Sequence, residues 1–140
     1  MGLDGSPREP WVRRTAVQLA DRLGGRLVLV RVVRVPPGIP AALLAFGDDE
    51  FRKFLVEHAR TELGSIAEGL PEGIVADTVC CEGSAADILC QIAKERRADL
   101  IVIGTHGYDR VDRVLGTTAA RVSNLAPCSV MVVREDGRSG

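Results

Sequence analysis

Residues 100–118 constrain the fold most, because an apolar run is followed there by glycines and then by a helix-like segment. Residues 100–103 (LIVI) predict a buried strand, and residues 117–125 predict a helix. Glycines allow backbone N–H groups to approach an anion closely, and the first turn of a helix offers further unpaired N–H donors. The hydroxyls of Thr117 and Thr118 lie at this helix start. The order therefore predicts a phosphate-binding strand–loop–helix unit, whose glycines are Gly104, Gly107 and Gly116.

The remaining sequence alternates between strand-like and helix-like segments. Apolar residues at helical spacing predict helices, and β-branched runs without alternation predict strands buried on both faces. This order predicts an α/β domain with a mostly parallel sheet and helices on both faces, which binds ligands beyond the carboxyl ends of its strands. The predicted helices are 9–23, 48–68, 84–97 and 117–125, the strands are 26–33, 74–81, 100–103 and 129–134, and residues 35–40 predict a loop.

Length and composition predict one domain without nucleic-acid or membrane contacts. A chain of 140 residues with 46% hydrophobic residues can bury a core unaided. We expect a domain over residues 1–134 and a polar tail over 135–140. The net charge of −1 provides no basic field for DNA, and the apolar runs are far shorter than the ~20 residues that span a bilayer. The four cysteines form no C-x-x-C pair, which favours reduced thiols and a cytoplasmic location.

Three motifs together resemble the universal stress protein family, and the resemblance covers nearly the whole chain. Asp4-Gly5-Ser6 is similar to the family's D-[GF]-S signature, and residues 126–133 (APCSVMVV) are similar to its last strand. The glycine loop is similar to the family's G-x2-G-x9-G-[S/T] pattern. Here eight residues separate the second and third glycines, where the family pattern has nine.

The resemblance implies a three-layer, adenine nucleotide alpha hydrolase-like fold, with a five-stranded sheet in the order 3-2-1-4-5. That order places the first strand beside the fourth, so Asp4 and Gly104 would meet at one crevice. Only three residues precede Asp4, whereas a strand typically needs about five. The first strand is therefore expected to be truncated. We favour a natural start further upstream, and the alternative is a stub strand formed by residues 1–3.

The family also implies a site for ATP, with Mg²⁺ as a possible companion. By resemblance, Asp4 binds the nucleoside end and Val32 contacts adenine through its backbone. Gly83 lines the same cleft. The phosphates and ribose would be held by Gly104, Thr105, His106, Gly107, Gly116, Thr117 and Thr118.

The residues themselves leave other roles open for each of these positions. Asp4 can be a turn residue in Asp4-Gly5-Ser6-Pro7, and Val32 can be an ordinary core residue of a strand. Gly83 can be a turn glycine, and the loop glycines can form a tight connection with helix caps. His106 can simply face solvent.

No catalytic motif accompanies this expected binding site. The sequence has no G-x-x-x-x-G-K-[ST], no G-x-G-x-x-G after the first strand and no G-x-S-x-G. We therefore expect a stress-response binding protein rather than an enzyme, with at most slow ATPase or autophosphorylation activity. The resemblance also implies a homodimer through the last strand, residues 129–133. The alternative function is that of a nucleotide-free structural or partner-binding dimer.

Overall fold

The computed structural model describes residues 1–35, 47–105 and 115–135. Every predicted helix and strand is confirmed to within two residues at each end. Most of the predicted loop at 35–40 lies outside the described residues. In chain order the elements are α1 (Glu9–Leu23), β1 (Leu27–Val33), α2 (Asp48–Glu68), β2 (Val75–Glu82), α3 (Ala85–Glu95), β3 (Leu100–Gly104), α4 (Thr117–Leu125) and β4 (Ser129–Val133).

The strands form two parallel pairs. β1 pairs with β2 from Leu27 opposite Val75 onward, and β3 pairs with β4 from Leu100 opposite Ser129 onward. Parallel pairs need crossover connections; in the chain, α2 lies between β1 and β2, and α4 lies between β3 and β4. The chain is thus an α/β protein with parallel strands, as its alternating pattern predicts.

Residues 1–3 hydrogen bond to one strand of each pair. The Gly2 N–H donates to the Val102 carbonyl of β3 at 2.9 Å, and the Leu3 N–H donates to the Val30 carbonyl of β1 at 2.8 Å. In return, the Val30 N–H donates to the Met1 carbonyl at 2.9 Å. The segment that sequence reasoning expected to be a truncated strand therefore links the two strand pairs.

Side chains that alternate along the strands contribute to two separate cores. One core combines α1 and α2 with residues such as Leu29 and Val102, and the other combines α3 and α4 with Val30 and Ile103. The strands are therefore covered by helices on both sides, which explains their nearly continuous apolar runs.

The helical spacing of Val12, Ala16, Leu19 and Leu23 predicts one apolar stripe along α1, and Leu23 is the residue of that stripe that lies outside the core. Leu23 is exposed, and Ala20 is buried in its place, in line with Val12 and Ala16 at a spacing of four residues. Leu23 is the last residue of the helix, where Gly24 in the left-handed conformation turns the chain away.

Among the described residues, no helix is both long enough and apolar enough to cross a membrane.

The N-terminal amino group is enclosed between strands. It donates to the Val28 carbonyl at 2.6 Å, and Met1 as a whole is 9% exposed. Burial lowers the pKa of this amino group to about 6, from an ordinary value of 8.0. Below that pKa the folded protein must hold a charge in a place that disfavours it.

A protein with the printed sequence and a free Met1 amino group is expected to become more stable as the pH rises from 6 to 8. In that range the unfolded chain binds more protons than the folded chain, so the free energy of unfolding increases with pH. A shift from 8.0 to about 6 corresponds to a gain on the order of 2 kcal/mol. Urea titrations at several pH values measure the gain. An N-terminally acetylated sample is the control, and an equal pH dependence in that sample would contradict the assignment.

Candidate functional site

The candidate site lies where residues 1–3 and β3 end side by side. Asp4 follows the first segment, Gly104 ends the second, and Thr105 follows it. The Arg8 side chain crosses between them: its Nη1 donates to the Thr105 carbonyl at 3.0 Å and lies 3.3 Å from Thr105 Oγ1. These hydrogen bonds join positions that are 97 residues apart in the sequence, so distant parts of the chain contribute to one edge.

The loop after residue 3 is organised by its own side chains. Asp4 is exposed, and its Oδ1 accepts the Ser6 N–H at 2.9 Å; Ser6 Oγ in turn accepts the Arg8 N–H at 3.3 Å. Gly5 adopts a positive φ of 72°, which a glycine reaches without strain. The turn role of Asp4 is thus confirmed, while its role toward a nucleoside stays a prediction.

A buried ion pair between Glu9 and Arg31 fixes the backbone of this loop at Gly5. Glu9, at the start of α1, accepts the Gly5 N–H at 2.6 Å and the Arg31 Nη2 donor at 2.6 Å through the same oxygen, Oε2. The side chains of Glu9 and Arg31 are only 10% and 8% exposed. Arg31 also donates from Nη1 to Glu62 at 2.7 Å. The charge of Arg31 is therefore met by two carboxylates.

Sequence reasoning missed Arg8, Glu9 and Arg31. Arg31 gave a usable signal, because it interrupts the apolar run LVLVRVV of a strand expected to be buried on both faces. A buried arginine needs anionic partners. Its Nε is also buried, and it has no hydrogen-bond partner within residues 1–35, 47–105 and 115–135. Arg8 gave no such signal, because its sequence context does not distinguish it from other polar residues that precede a helix.

Val32 and Gly83 lie together at the ends of β1 and β2. Val32 pairs with Cys81 and is half-buried beside the α3–α4 core. The Gly83 N–H donates to the Val33 carbonyl at 3.2 Å, and Gly83 has a φ of +147°. A Cβ at Gly83 would lie 2.8 Å from Cδ1 of Ile88, which is the end of a flexible side chain, so the positive φ rather than the packing favours glycine here.

The described part of the glycine loop comprises its two ends. Gly104 packs so tightly that a Cβ there would lie 3.1 Å from Val12 Cγ2. Thr105 is buried, and its N–H donates to the Val133 carbonyl at 3.2 Å. Gly116 is the N-cap of α4, with Thr117 exposed and Thr118 half-buried in its first turn. His106 and Gly107 lie outside the described residues, and their contacts with a nucleotide stay predictions.

The start of α4 has the donors that an anion requires. As in the other three helices, no described side chain caps its N-terminal N–H groups. The hydroxyl side chains of Thr117 and Thr118 directly follow the N-cap residue, Gly116. Within the described residues, no group of three His, Cys, Asp or Glu side chains could hold a metal ion. The donor set therefore fits a phosphate better than it fits a directly bound cation.

The four cysteines are free thiols, and all are half-buried. Burial raises the pKa of the Cys80, Cys81, Cys90 and Cys128 thiols above the ordinary value of 9.0. They are therefore protonated at neutral pH and poorly nucleophilic. This agrees with the reduced thiols that their spacing predicts.

Comparison with known proteins places this arrangement in a family. The model of the universal stress protein family matches residues 1–134. The chain belongs to the universal stress protein family. A universal stress protein of Methanocaldococcus jannaschii is 31% identical over 137 residues, which cover 94% of this chain and 78% of that relative. The resemblance predicted from three motifs is thus confirmed.

Solved structures of the family share the fold. That of universal stress protein UspA from Lactobacillus plantarum is 25% identical, with a TM-score of 0.68 over 95% of this chain and 94% of its own. A universal stress protein in complex with cAMP is 22% identical, with a TM-score of 0.60 over 96% of this chain and 93% of its own. At such identities the likeness concerns the fold.

Replacing Glu9 by glutamine is expected to lower the free energy of unfolding by about 2 kcal/mol, since a buried guanidinium loses a charged partner. Glu57→Gln is the matched control. It removes a carboxylate from a pair of similar length, 2.7 Å to Arg60, that is exposed on both sides. That change should cost less than about 0.5 kcal/mol. Urea unfolding measures both. Equal losses in the two variants would mean that burial adds nothing to the Glu9 contact.

Proposed function

We propose that this universal stress protein binds an adenine nucleotide, with ATP as the expected ligand, at the shared end of residues 1–3 and β3. It would act as a regulatory protein of the stress response. The observation that carries this proposal is the Arg8–Thr105 contact, which joins the Asp4 loop to the start of the glycine loop. Two motifs that were recognised independently in the sequence thereby meet at one edge.

The proposal includes a single five-stranded sheet in the order 3-2-1-4-5, counted along the predicted strands. In the labels used here this order is β2, β1, residues 1–3, β3 and β4. It is supported by the hydrogen bonds that residues 1–3 make to both Val30 and Val102. Such an order changes direction between residues 1–3 and β3, and open α/β sheets bind ligands at that kind of position.

Relatives with bound nucleotides favour an adenine ligand. One solved universal stress protein is described as a complex with cAMP, and an Arabidopsis thaliana family member is described with AMP bound. The latter is 18% identical, with a TM-score of 0.50 over 91% of this chain and 77% of its own. In the present chain, Asp4 and Val32 would hold the nucleoside, and Gly104, Gly116, Thr117 and Thr118 would hold the phosphates.

The proposed role is binding without rapid turnover. The described part of the edge provides donors for an anion but no nucleophile next to a general base. Binding can act through the ligand's preference for the folded protein or for one arrangement of its surface. Any ATP hydrolysis should be slow and no faster than in a variant whose glycine loop is blocked.

ATP is expected to raise the melting temperature of the wild-type protein, and Gly116→Val should abolish the rise. Gly116 has φ −59° and ψ 153°, which valine tolerates, so the added side chain should obstruct the site rather than the fold. Gly104→Val is a poorer choice, since its side chain would collide with Val12. At a ligand concentration a hundredfold above Kd, the rise should be about 5–10 °C.

Gly64→Val is the matched control for that experiment. Gly64 lies in α2, and a Cβ there meets nothing within 4 Å, so this variant should keep the full shift. Differential scanning fluorimetry with ATP, AMP and adenosine supplies the measurement. The absence of any shift at millimolar ATP, in a folded protein, would reject nucleotide binding and favour the partner-binding alternative.

We further propose that the protein forms a homodimer through β4. Within the described part of the chain, β4 pairs with β3 on one side only, and its residues from Val130 to Val133 are half-buried and apolar. An apolar edge strand invites pairing with another strand. Light scattering after size exclusion should give twice the chain mass of 15.0 kDa. A monomer at high micromolar concentration would contradict this.

A further inference from the structure

We propose that Arg8 binds the phosphate groups of the nucleotide, an inference that rests on the proposed nucleotide site. No motif in the sequence points to this residue. Its assignment comes from three features of the structure: the place its guanidinium reaches, the weak neutralisation of its charge and its position at the start of a helix.

The first feature is the reach of the side chain. Arg8 precedes α1 as its N-cap residue, and its Nη1 reaches the carbonyl and hydroxyl oxygens of Thr105 at 3.0 and 3.3 Å. Thr105 directly follows Gly104, at the entry to the loop expected to hold the phosphates. The guanidinium therefore lies at the phosphate end of the proposed site, and its side chain is 31% exposed.

The second feature is the charge. Among residues 1–35, 47–105 and 115–135, the carboxylate that forms an ion pair with Arg8 is Glu135, whose Oε2 is 3.9 Å from Nε and whose side chain is 58% exposed. Such a surface contact neutralises little. Arg31, by contrast, has carboxylate oxygens at 2.6 and 2.7 Å. Of these two arginines, Arg31 is committed to the protein's interior, whereas Arg8 retains most of its attraction for an incoming anion.

The third feature is the position at the N-terminus of α1. The positive end of the helix dipole disfavours a cation there, typically by a few tenths of a kcal/mol to about 1 kcal/mol. The first acidic residue of the helix, Glu9, is already bound to Arg31 and Gly5. An anion placed beside Arg8 would therefore meet both the guanidinium and the helix N-terminus, and both would favour it.

Phosphate oxygens suit this guanidinium better than the oxygens that it contacts in the described structure. The planar fork of arginine binds phosphate through two parallel charge-assisted hydrogen bonds. Its hydrogen bonds to Thr105 go to neutral oxygens. A nucleotide with several phosphates offers a stronger acceptor within the same reach, so Arg8 should discriminate ATP from adenosine.

Isothermal titration calorimetry with ATP, AMP and adenosine tests this role on wild type, Arg8→Gln and Arg8→Lys. Arg8→Gln should weaken ATP binding by about 10- to 100-fold, since a charged hydrogen bond is lost, and should change adenosine binding less than about twofold. Arg8→Lys keeps the charge without the fork and should fall between these values for ATP. It also keeps a donor near Thr105, should the glutamine variant fold poorly.

Arg14→Gln is the matched control, because it removes the same charge from α1, the helix that Arg8 directly precedes. Arg14 is exposed and lies 5.1 Å from the Trp11 ring centroid. It should leave the affinities for ATP and adenosine unchanged. An equal loss on Arg14→Gln would show that general electrostatic attraction, and not contact by Arg8, governs ATP binding.

The other outcomes separate this inference from the proposed function. If Arg8→Gln weakens ATP and adenosine equally, Arg8 only positions Thr105, and phosphate contact is refuted. If wild type binds adenosine as tightly as ATP, or if Arg8→Gln binds ATP normally, the inference also fails while nucleotide binding stands. If wild type binds none of the three ligands, both proposals are overturned.

Discussion

Three residues at the start of the chain hold the two strand pairs together, and the geometry of the candidate site depends on them. Met1 and Leu3 are buried, and the hydrogen bonds of residues 1–3 extend to β1 on one side and β3 on the other. Between them, Gly2 has almost no free space, since a Cβ would lie 3.1 Å from Ile103 and 3.2 Å from Leu89. A side chain at this position would require the Leu89 and Ile103 side chains to shift by a few tenths of an ångström. Glycine at position 2 thus allows residues 1–3 to pack closely against β3 and α3.

The loop that follows is fixed by charge rather than by apolar packing. Removing Glu9 and Arg31 from water costs several kcal/mol per ion, and short hydrogen bonds at 2.6 Å offset much of that cost. The net gain in stability from such a pair is small, whereas its geometric demand is strict. Because one oxygen of Glu9 serves both Arg31 and the Gly5 N–H, the backbone next to Asp4 is tied to the middle of β1. The ion pair therefore defines the edge on which a ligand would lie.

The fold was predictable because its signals are local in the sequence. Much of the site was unpredictable, because its contacts join residues that are far apart in the sequence. The patterns at Glu9–Leu23 and Asp48–Glu68 gave their helix bounds directly, since apolar spacing and a following glycine act within a few residues. Asp4 and Gly104 were found through motifs. Leu23 was misplaced because periodicity does not say where a helix leaves the core. Arg8 could not be assigned to the site, because its contact with Thr105 exists only in the folded chain.

The sequence separation between Arg8 and Thr105 also determines how a ligand that contacts both would affect the stability of the fold. The two parts of the edge come from residues near position 8 and near position 105, and in the described residues the Arg8 side chain spans them directly. Contacts between such distant positions exist only when the intervening chain is folded, so a ligand that touches both binds the folded protein and not the unfolded chain. Its binding energy then appears as stability of the whole domain. If the proposed nucleotide binding holds, nucleotide supply would change the stability of the folded domain, and this coupling would require no hydrolysis.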